Sequence, residues 1–268
     1  MKIKKVITAI NENSLYTEFL PATYKAWNRL GVEVVVGVVA KSITDGDLVN
    51  WASEHSDTLY IFSKIDSIDS GIQAKVTRMC LACEEQEHTA IVDVDMIPLS
   101  AGFVNSYSRV PDDHLAKFGA EHPAFQREPD IGKWPMHGTA AHGETFREII
   151  NPNHLSYKQL ILSWAGGFPE DPRSNVSNVF GSFSDESLLK CLYSRWKNKE
   201  RTTCIGRTEA GDFDQHPDGG YTVYGRLCRS KHHDLEQIDI GRYFEAHGPR
   251  PFSTNLEWYG KILDHLED

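Results

Sequence analysis

From Lys5 onward the chain alternates short β-prone runs with amphipathic stretches, and the alternation lasts for about the first hundred residues. Lys5-Val6-Ile7-Thr8-Ala9-Ile10 reads as a strand that stops at the polar turn Asn11-Glu12-Asn13-Ser14. Leu15, Phe19, Tyr24, Trp27 and Leu30 then recur at roughly helical spacing up to Gly31, which predicts a helix with that face turned inward. Val32 to Val39 is almost entirely β-branched, the pattern of a strand covered on both faces. A short helix over Thr44 to His55 and a third strand over Leu59-Tyr60-Ile61-Phe62 follow. Asp69 or Ser70 can cap a helix in which Ile72, Val76, Met79, Cys80 and Cys83 recur at steps of three and four. Thr89 to Asp95 is a fourth apolar strand, and it ends in acid at Asp93 and Asp95.

This βαβαβαβ order predicts an α/β fold with a mainly parallel sheet flanked by helices, and such sheets bind ligands outside the carboxyl ends of their strands. Asn11 and Asp93 to Asp95 fall on that edge. Between about 105 and 150 the pattern gives way to Pro, His and Gly, which reads as insertions and loops. Tyr157 to Ala165 and Asp185 to Trp196 read as helices, and Asp218-Gly219-Gly220 as the turn of a hairpin within 211 to 228.

Composition narrows the classes without choosing among them. The 268 residues are 40% hydrophobic and 25% charged, as in an ordinary globular protein. A net charge of −10 lacks the basic footprint of a nucleic-acid binder, so no nucleic-acid partner is expected. The apolar run Val6 to Ile10 is too short for a signal-peptide core or a membrane span, and the expectation is a soluble, cytoplasmic protein without a transmembrane segment. Five irregularly spaced cysteines fit reduced thiols, with Cys80 and Cys83 as small residues on a buried helix face rather than a zinc pair.

Asp93-Val94-Asp95 is the sharpest chemical feature. Two aspartates one residue apart at a strand end point the same way or straddle a bend, and forced together they repel unless a hard divalent cation lies between them. Mg²⁺ or Mn²⁺ carrying a diphosphate is that reading; the plainer one is a pair of solvated acids. Lys75 and Arg78, three apart on one helix, could hold a phosphate, although position alone favours a solvated face. His247-Gly248-Pro249-Arg250 offers an imidazole, a close backbone approach and a guanidinium. Asp185-Glu186 opens a helix, where acids complement the helix dipole and, if that end faces a cleft, could orient a hydroxyl or act as base. Among the many histidines, His114, His122, His137, His142 and His154 lie where glycines and proline oppose a helical metal motif. Trp134, Tyr157, Trp164 and Phe168 read as core before sugar platforms.

Taken in order, these segments resemble the GT-A nucleotide-sugar glycosyltransferases, most of all the glycogenin-type retaining family. Ala9-Ile10-Asn11-Glu12-Asn13 is similar to the family's A-T-D-x-N first-strand segment, Ala74-Lys75 to its threonine-lysine helix entry, and Ile91 to Leu99 to its D-x-D strand. Asp185-Glu186-Ser187-Leu188-Leu189-Lys190 resembles D-Q-x-L-L-N, and His247 to Phe252 a shortened H-x-x-G-x-x-K-P-W. Three departures stand out: Ser14 in place of a stacking Tyr with Tyr16 nearby as substitute, Glu186 in place of Gln, and no clear N-x-G acceptor strand.

The resemblance implies one GT-A-like, Rossmann-like domain over 1–268. Residues 1–100 would be the nucleotide-sugar half, and 101–268 a loop-rich acceptor half with a C-terminal metal and phosphate loop. It implies Thr8, Ala9, Ile10, Asn11, Asn13, Tyr16, Lys75, Arg78, Asp93, Val94, Gly248 and Arg250 as donor contacts. Asp93, Asp95 and His247 would be ligands of Mn²⁺ or Mg²⁺, and Asp185 and Glu186 would lie near the reacting sugar. The implied reaction moves a hexose or pentose from a nucleoside diphosphate sugar, most simply a UDP-sugar, to a saccharide or other hydroxyl acceptor. Retention of configuration fits the family, whereas the carboxylate of Glu186 leaves an inverting base mechanism open. A nucleotidyltransferase on a related sheet would carry a Gly-rich basic loop after the first strand, which Asn11 to Leu15 lacks. A non-catalytic carbohydrate- or nucleotide-binding module is the third alternative.

Overall fold

The computed structural model describes residues 1–41, 59–118, 134, 136–165, 184–205, 226–228, 235 and 240–267. In chain order the elements begin with strand β1 (Lys5–Asn11), helices α1 (Ser14–Thr17) and α2 (Leu20–Arg29), strands β2 (Glu33–Ala40) and β3 (Leu59–Ser63), and helix α3 (Ser70–Glu84). Strands β4 (His88–Ile91) and β5 (Met96–Pro98), helix α4 (Gly102–Asn105), strands β6 (Leu115–Phe118) and β7 (Thr139–His142), and helices α5 (Gly143–Ile150), α6 (Tyr157–Ala165) and α7 (Ser184–Arg195) follow. The remainder comprises strands β8 (Thr202–Ile205), β9 (Arg226–Cys228) and β10 (Glu245–His247) and helix α8 (Leu256–His265).

Seven strands form one sheet in the order β3-β2-β1-β4-β7-β6-β8, and β5, β10 and β9 form a second, smaller one. The run β3-β2-β1-β4 is parallel, and β7 joins β4 antiparallel, so the sheet is mixed and mainly parallel, flanked by helices. Alternation along β1 and β2 explains the two cores. Val6, Ile10, Val34, Val36 and Val38 face one layer with Phe19, Trp27, Phe103 and Tyr259, whereas Ile7 and Val35 face the other with Val76, Met79 and Phe146. The β-branched run was legible because both faces of β2 from Val34 onward are buried. Gly37 permits the close approach of α3: a Cβ there would lie 2.9 Å from Leu81 Cδ1.

Asp69 caps α3, its carboxylate accepting from the amides of Gly71 and Ile72. Cys80 and Cys83 are buried on this helix, and burial pushes both thiols well above their ordinary range. Trp134 and Trp164 are buried in the core, and Tyr157 bonds Gln73 and Thr77 while packing on Phe62.

Several expectations need correction. The first helix is broken in two: Pro21 opens α2 one residue after Leu20, and Leu15 is 41% exposed rather than inward. Within 105–150 the described residues include β6, β7 and α5, not loops alone. Thr139-Ala140-Ala141-His142 carries little β propensity, and burial between neighbouring strands overrides it. His142 caps α5, while His114 Nδ1, just before β6, lies 2.9 Å from Thr203 Oγ1 on β8. The predicted Thr44 to His55 helix, the Asp218-Gly219-Gly220 turn, His122 and Phe168 lie outside the described residues. No helix among the described residues is long and apolar enough to cross a membrane.

Candidate active site

A cleft of about 370 Å³ opens at the carboxyl ends of β1 and β4. Ala9, Ile10, Asn11, Asn13 and Tyr16 line it from the first strand and its turn, and Gly71, Ala74, Lys75 and Arg78 from α3. Asp93, Val94, Asp95, Met136, Asp185, Glu186 and Arg250 complete it. A cavity of about 760 Å³ lies elsewhere, among α5, α6 and α7. Its floor is core residues such as Trp164, Leu192 and Trp196. Of the histidines and aromatics weighed in the sequence it holds only His154 and Trp164, and it holds none of Asp93, Asp95, Asp185, Glu186, Lys75, Arg78 or Arg250.

Asn11 sets the turn after β1. Its Nδ2 donates to Ser70 Oγ at 3.1 Å and its Oδ1 accepts from the Asn13 amide at 3.3 Å, which ties β1 to the start of α3. Asn13 then caps α1 by accepting from the Leu15 amide, and this places Tyr16 at the cleft rim.

The two aspartates lie past the end of their strand. β4 stops at Ile91, and Asp93-Val94-Asp95 forms the turn into β5, so the carboxylates straddle a bend. Asp93 pairs with the Arg78 guanidinium, which also holds Asp185 and donates to the Val92 carbonyl at 3.0 Å. Arg78 is 7% exposed, so the expectation of a solvated basic face fails for it. Helix α3 is covered on two sides, and an arginine that must enter the interior needs compensating acids there. Burial alone would lower the Arg78 pKa, but Asp93 and Asp185 more than reverse this and hold the guanidinium above its usual range. Burial likewise acts to raise the Asp93 pKa, and the charge of Arg78 brings it below the ordinary carboxylate range.

Asp95 faces the other way, toward β10 and the loop after it. Its Oδ2 lies 3.0 Å from His247 Nε2 and 2.8 Å from Arg250 Nε. Burial opposes ionisation here as well; the hydrogen bond and charge of His247, with Arg250, keep Asp95 well below the carboxylate range. Arg250 also donates to Tyr16 Oη at 3.0 Å and stacks over that ring at 4.8 Å.

Asp95 and His247, an ionised oxygen donor and an imidazole already in contact, fit a hard or borderline divalent cation as a two-residue anchor. Asp93 is turned onto Arg78, and among the described residues no group of three His, Cys, Asp or Glu side chains is arranged to hold a metal. Two sequence-predicted donor contacts stand apart from the cleft lining. Thr8 is buried in β1, and Gly248 packs against α8. A Cβ at Gly248 would lie 2.2 Å from Tyr259 Oη and 2.5 Å from Trp258 Cζ3, both side chains being buried. Gly248→Ala is therefore expected to lose about 1–3 kcal/mol in urea denaturation through overpacking. A loss within experimental error would show that the loop gives way freely.

His137, Glu245 and Met136 had no sequence signal that set them apart. His137 accepts from the Asp93 amide at 3.1 Å and contacts Glu245 at 2.6 Å. Only the fold brings these segments together, since neither lies in a spaced motif.

No family model and no curated protein matches the chain. Among solved structures it is similar to the galactosyltransferase LgtC, determined in complex with donor and acceptor sugar analogs. The TM-score is 0.49 at 10% identity over 98% of this chain and 95% of that one. It is also similar to the glycosyltransferase GlyE of Streptococcus pneumoniae TIGR4, with TM-score 0.46 at 13% identity over 76% of this chain and 45% of that one. For the bifunctional glycosyltransferase WbbM the TM-score is 0.43 at 10% identity, over 99% and 50% of the respective chains.

Proposed function

We propose that the chain is a GT-A-type, metal-dependent glycosyltransferase that moves a sugar from a nucleoside diphosphate sugar, most simply a UDP-sugar, to an acceptor hydroxyl. One observation carries this reading. Five separate segments converge on a cleft that alternates cationic and anionic groups: the turn after β1, the start of α3, Asp93 to Asp95, Asp185-Glu186 and Arg250.

The donor's demands match that arrangement. A nucleoside would lie along Ala9 to Tyr16, with its diphosphate toward Lys75 and Arg250. Asp95 and His247 would hold Mn²⁺ or Mg²⁺, which when bound supplies positive charge to the leaving diphosphate. Arg250 and Lys75 add charge in the same place, where stabilisation of developing negative charge is worth most. Arg78 keeps Asp185 oriented on the sugar side, and Glu186 shares that wall. Transfer with retention is the finer reading, taken from the motif order.

A thermal-shift panel of UDP, GDP, CDP, dTDP and ADP, each with and without Mn²⁺, tests the proposal. Ligand at about 100 times its Kd stabilises by about 2.7 kcal/mol, which in a chain of this size raises Tm by roughly 5 °C or more. We expect UDP with Mn²⁺ to give that shift and UDP alone to give less. No shift with any nucleotide would overturn the reading and favour a binding module for other ligands.

A further inference from the structure

We propose that His137, oriented by Glu245, is a positioning residue that fixes the Asp93-Val94-Asp95 turn from behind. The inference rests on the glycosyltransferase reading, because it is the donor end of that turn whose geometry matters.

The ladder of β4 ends with Val92, whose amide donates to the Ile7 carbonyl at 2.9 Å. The next amide, of Asp93, has left the sheet and finds its acceptor in His137 Nδ1 at 3.1 Å. An accepting Nδ1 is unprotonated, so the ring proton sits on Nε2, 2.6 Å from Glu245 Oε2. His137 and Glu245 are 6% and 2% exposed, so water does not compete for either bond.

Three further bonds hold the histidine's own segment in place. Gly138 N donates to the Ile91 carbonyl and Tyr107 Oη to the Gly138 carbonyl, both at 2.7 Å, and Trp134 Nε1 donates to Thr139 Oγ1 at 2.8 Å. Gly138 sits at φ +80, and a Cβ there would lie 2.7 Å from Phe118 Cβ. The segment thus presents the imidazole in one place.

Glu245 and His247 are two apart on β10 and so share a face. Glu245 reaches the start of the aspartate turn through His137, and His247 reaches its end at Asp95. One short strand of the small sheet therefore grips both ends of the turn, at the Asp93 amide through His137 and at the Asp95 carboxylate directly. Outer contacts of this kind orient primary ligands, and their loss commonly weakens binding by roughly 10–100-fold.

The test separates the two nitrogens. Asparagine places its Oδ1 where Nδ1 stands and can still accept from the Asp93 amide. Glutamine can still reach Glu245 but offers the amide no acceptor. UDP affinity in the presence of Mn²⁺ is measured by calorimetry for wild type, His137→Asn, His137→Gln and Glu245→Gln, with a urea midpoint for each. NMR of the wild type reads the two-bond nitrogen–nitrogen coupling between the Asp93 amide and His137 Nδ1.

The expected result is a visible coupling, a loss of roughly tenfold or more in affinity for His137→Gln, and His137→Asn close to wild type. Glu245→Gln should fall between the two. Equal affinity in wild type and His137→Gln would overturn the proposal, as would a His137→Asn variant as weak as His137→Gln. An absent coupling would overturn it directly, whether or not any variant folds. A coupling present in a wild type that binds no nucleotide would sink the glycosyltransferase reading, and the positioning role with it, while leaving the hydrogen bond itself in place.

Discussion

Arg78→Met should cost about 3–5 kcal/mol of folding stability, the range for removing one partner of a buried ion pair. The methionine keeps most of the side chain's length and apolar stem but leaves two carboxylates without their cation. Asp185 is nearly closed off from solvent, with 5% of its side chain exposed, so it bears more of the cost than Asp93, at 35%. The double variant Arg78→Met/Asp185→Asn should recover a large part of the loss, since a neutral amide is far cheaper to bury than an unpaired charge. Urea denaturation of both variants checks this, and a deficit below about 1 kcal/mol would mean that the pair behaves like a screened surface bridge.

The deficit should also depend on pH. Arg78 depresses the folded-state pKa of Asp93, so this pairing contributes stability above the unfolded value of about 3.9. That contribution is lost as pH falls through the folded-state pKa. Wild type and variant should accordingly converge in the acid range and differ most near neutrality.

Asp95→Asn is expected to lower the rate of sugar transfer by roughly 10²–10³-fold, the scale seen when a preorganised electrostatic contact to a reacting group is removed. Asparagine preserves shape, so the effect isolates charge. Without the carboxylate, His247 and Arg250 lose the anion that holds them together, and the proposed cation loses its only buried oxygen ligand among the described residues. Turnover and the Mn²⁺-dependent part of the UDP thermal shift should fall together. Turnover within about threefold of wild type would remove Asp95 from the machinery. A modest stability loss, about 1.5–3 kcal/mol for charged hydrogen bonds, should accompany the change.

Much of this protein was legible in the order of its residues. The β-branched run at 32–39 became the doubly buried strand, Asp69 became the cap of the helix that follows it, and 157–165 became a helix over the predicted span. The acids at 93 and 95, the turn after the first strand and the acids at 185 and 186 all reached one cleft. Where the reading slipped, the cause was in one place a nearby helix breaker and in another neighbours distant in sequence. Leu15 sits at helical spacing yet is exposed because Pro21 restarts the helix, and the alanine-rich strand at 139–142 forms because β4 and β6 flank it.

Periodicities of 2 and 3.6 are properties of consecutive residues, so the sequence by itself determined most of the elements in its first hundred residues, their order and the edge at which polar chemistry collects. It could not determine which charge meets which. Arg78 finds Asp185 across 107 positions, Asp95 finds Arg250 across 155, and His137 finds Glu245 across 108. Such pairings depend on where whole elements pack, and in a buried site each charge must find a partner there because water is no longer available to it.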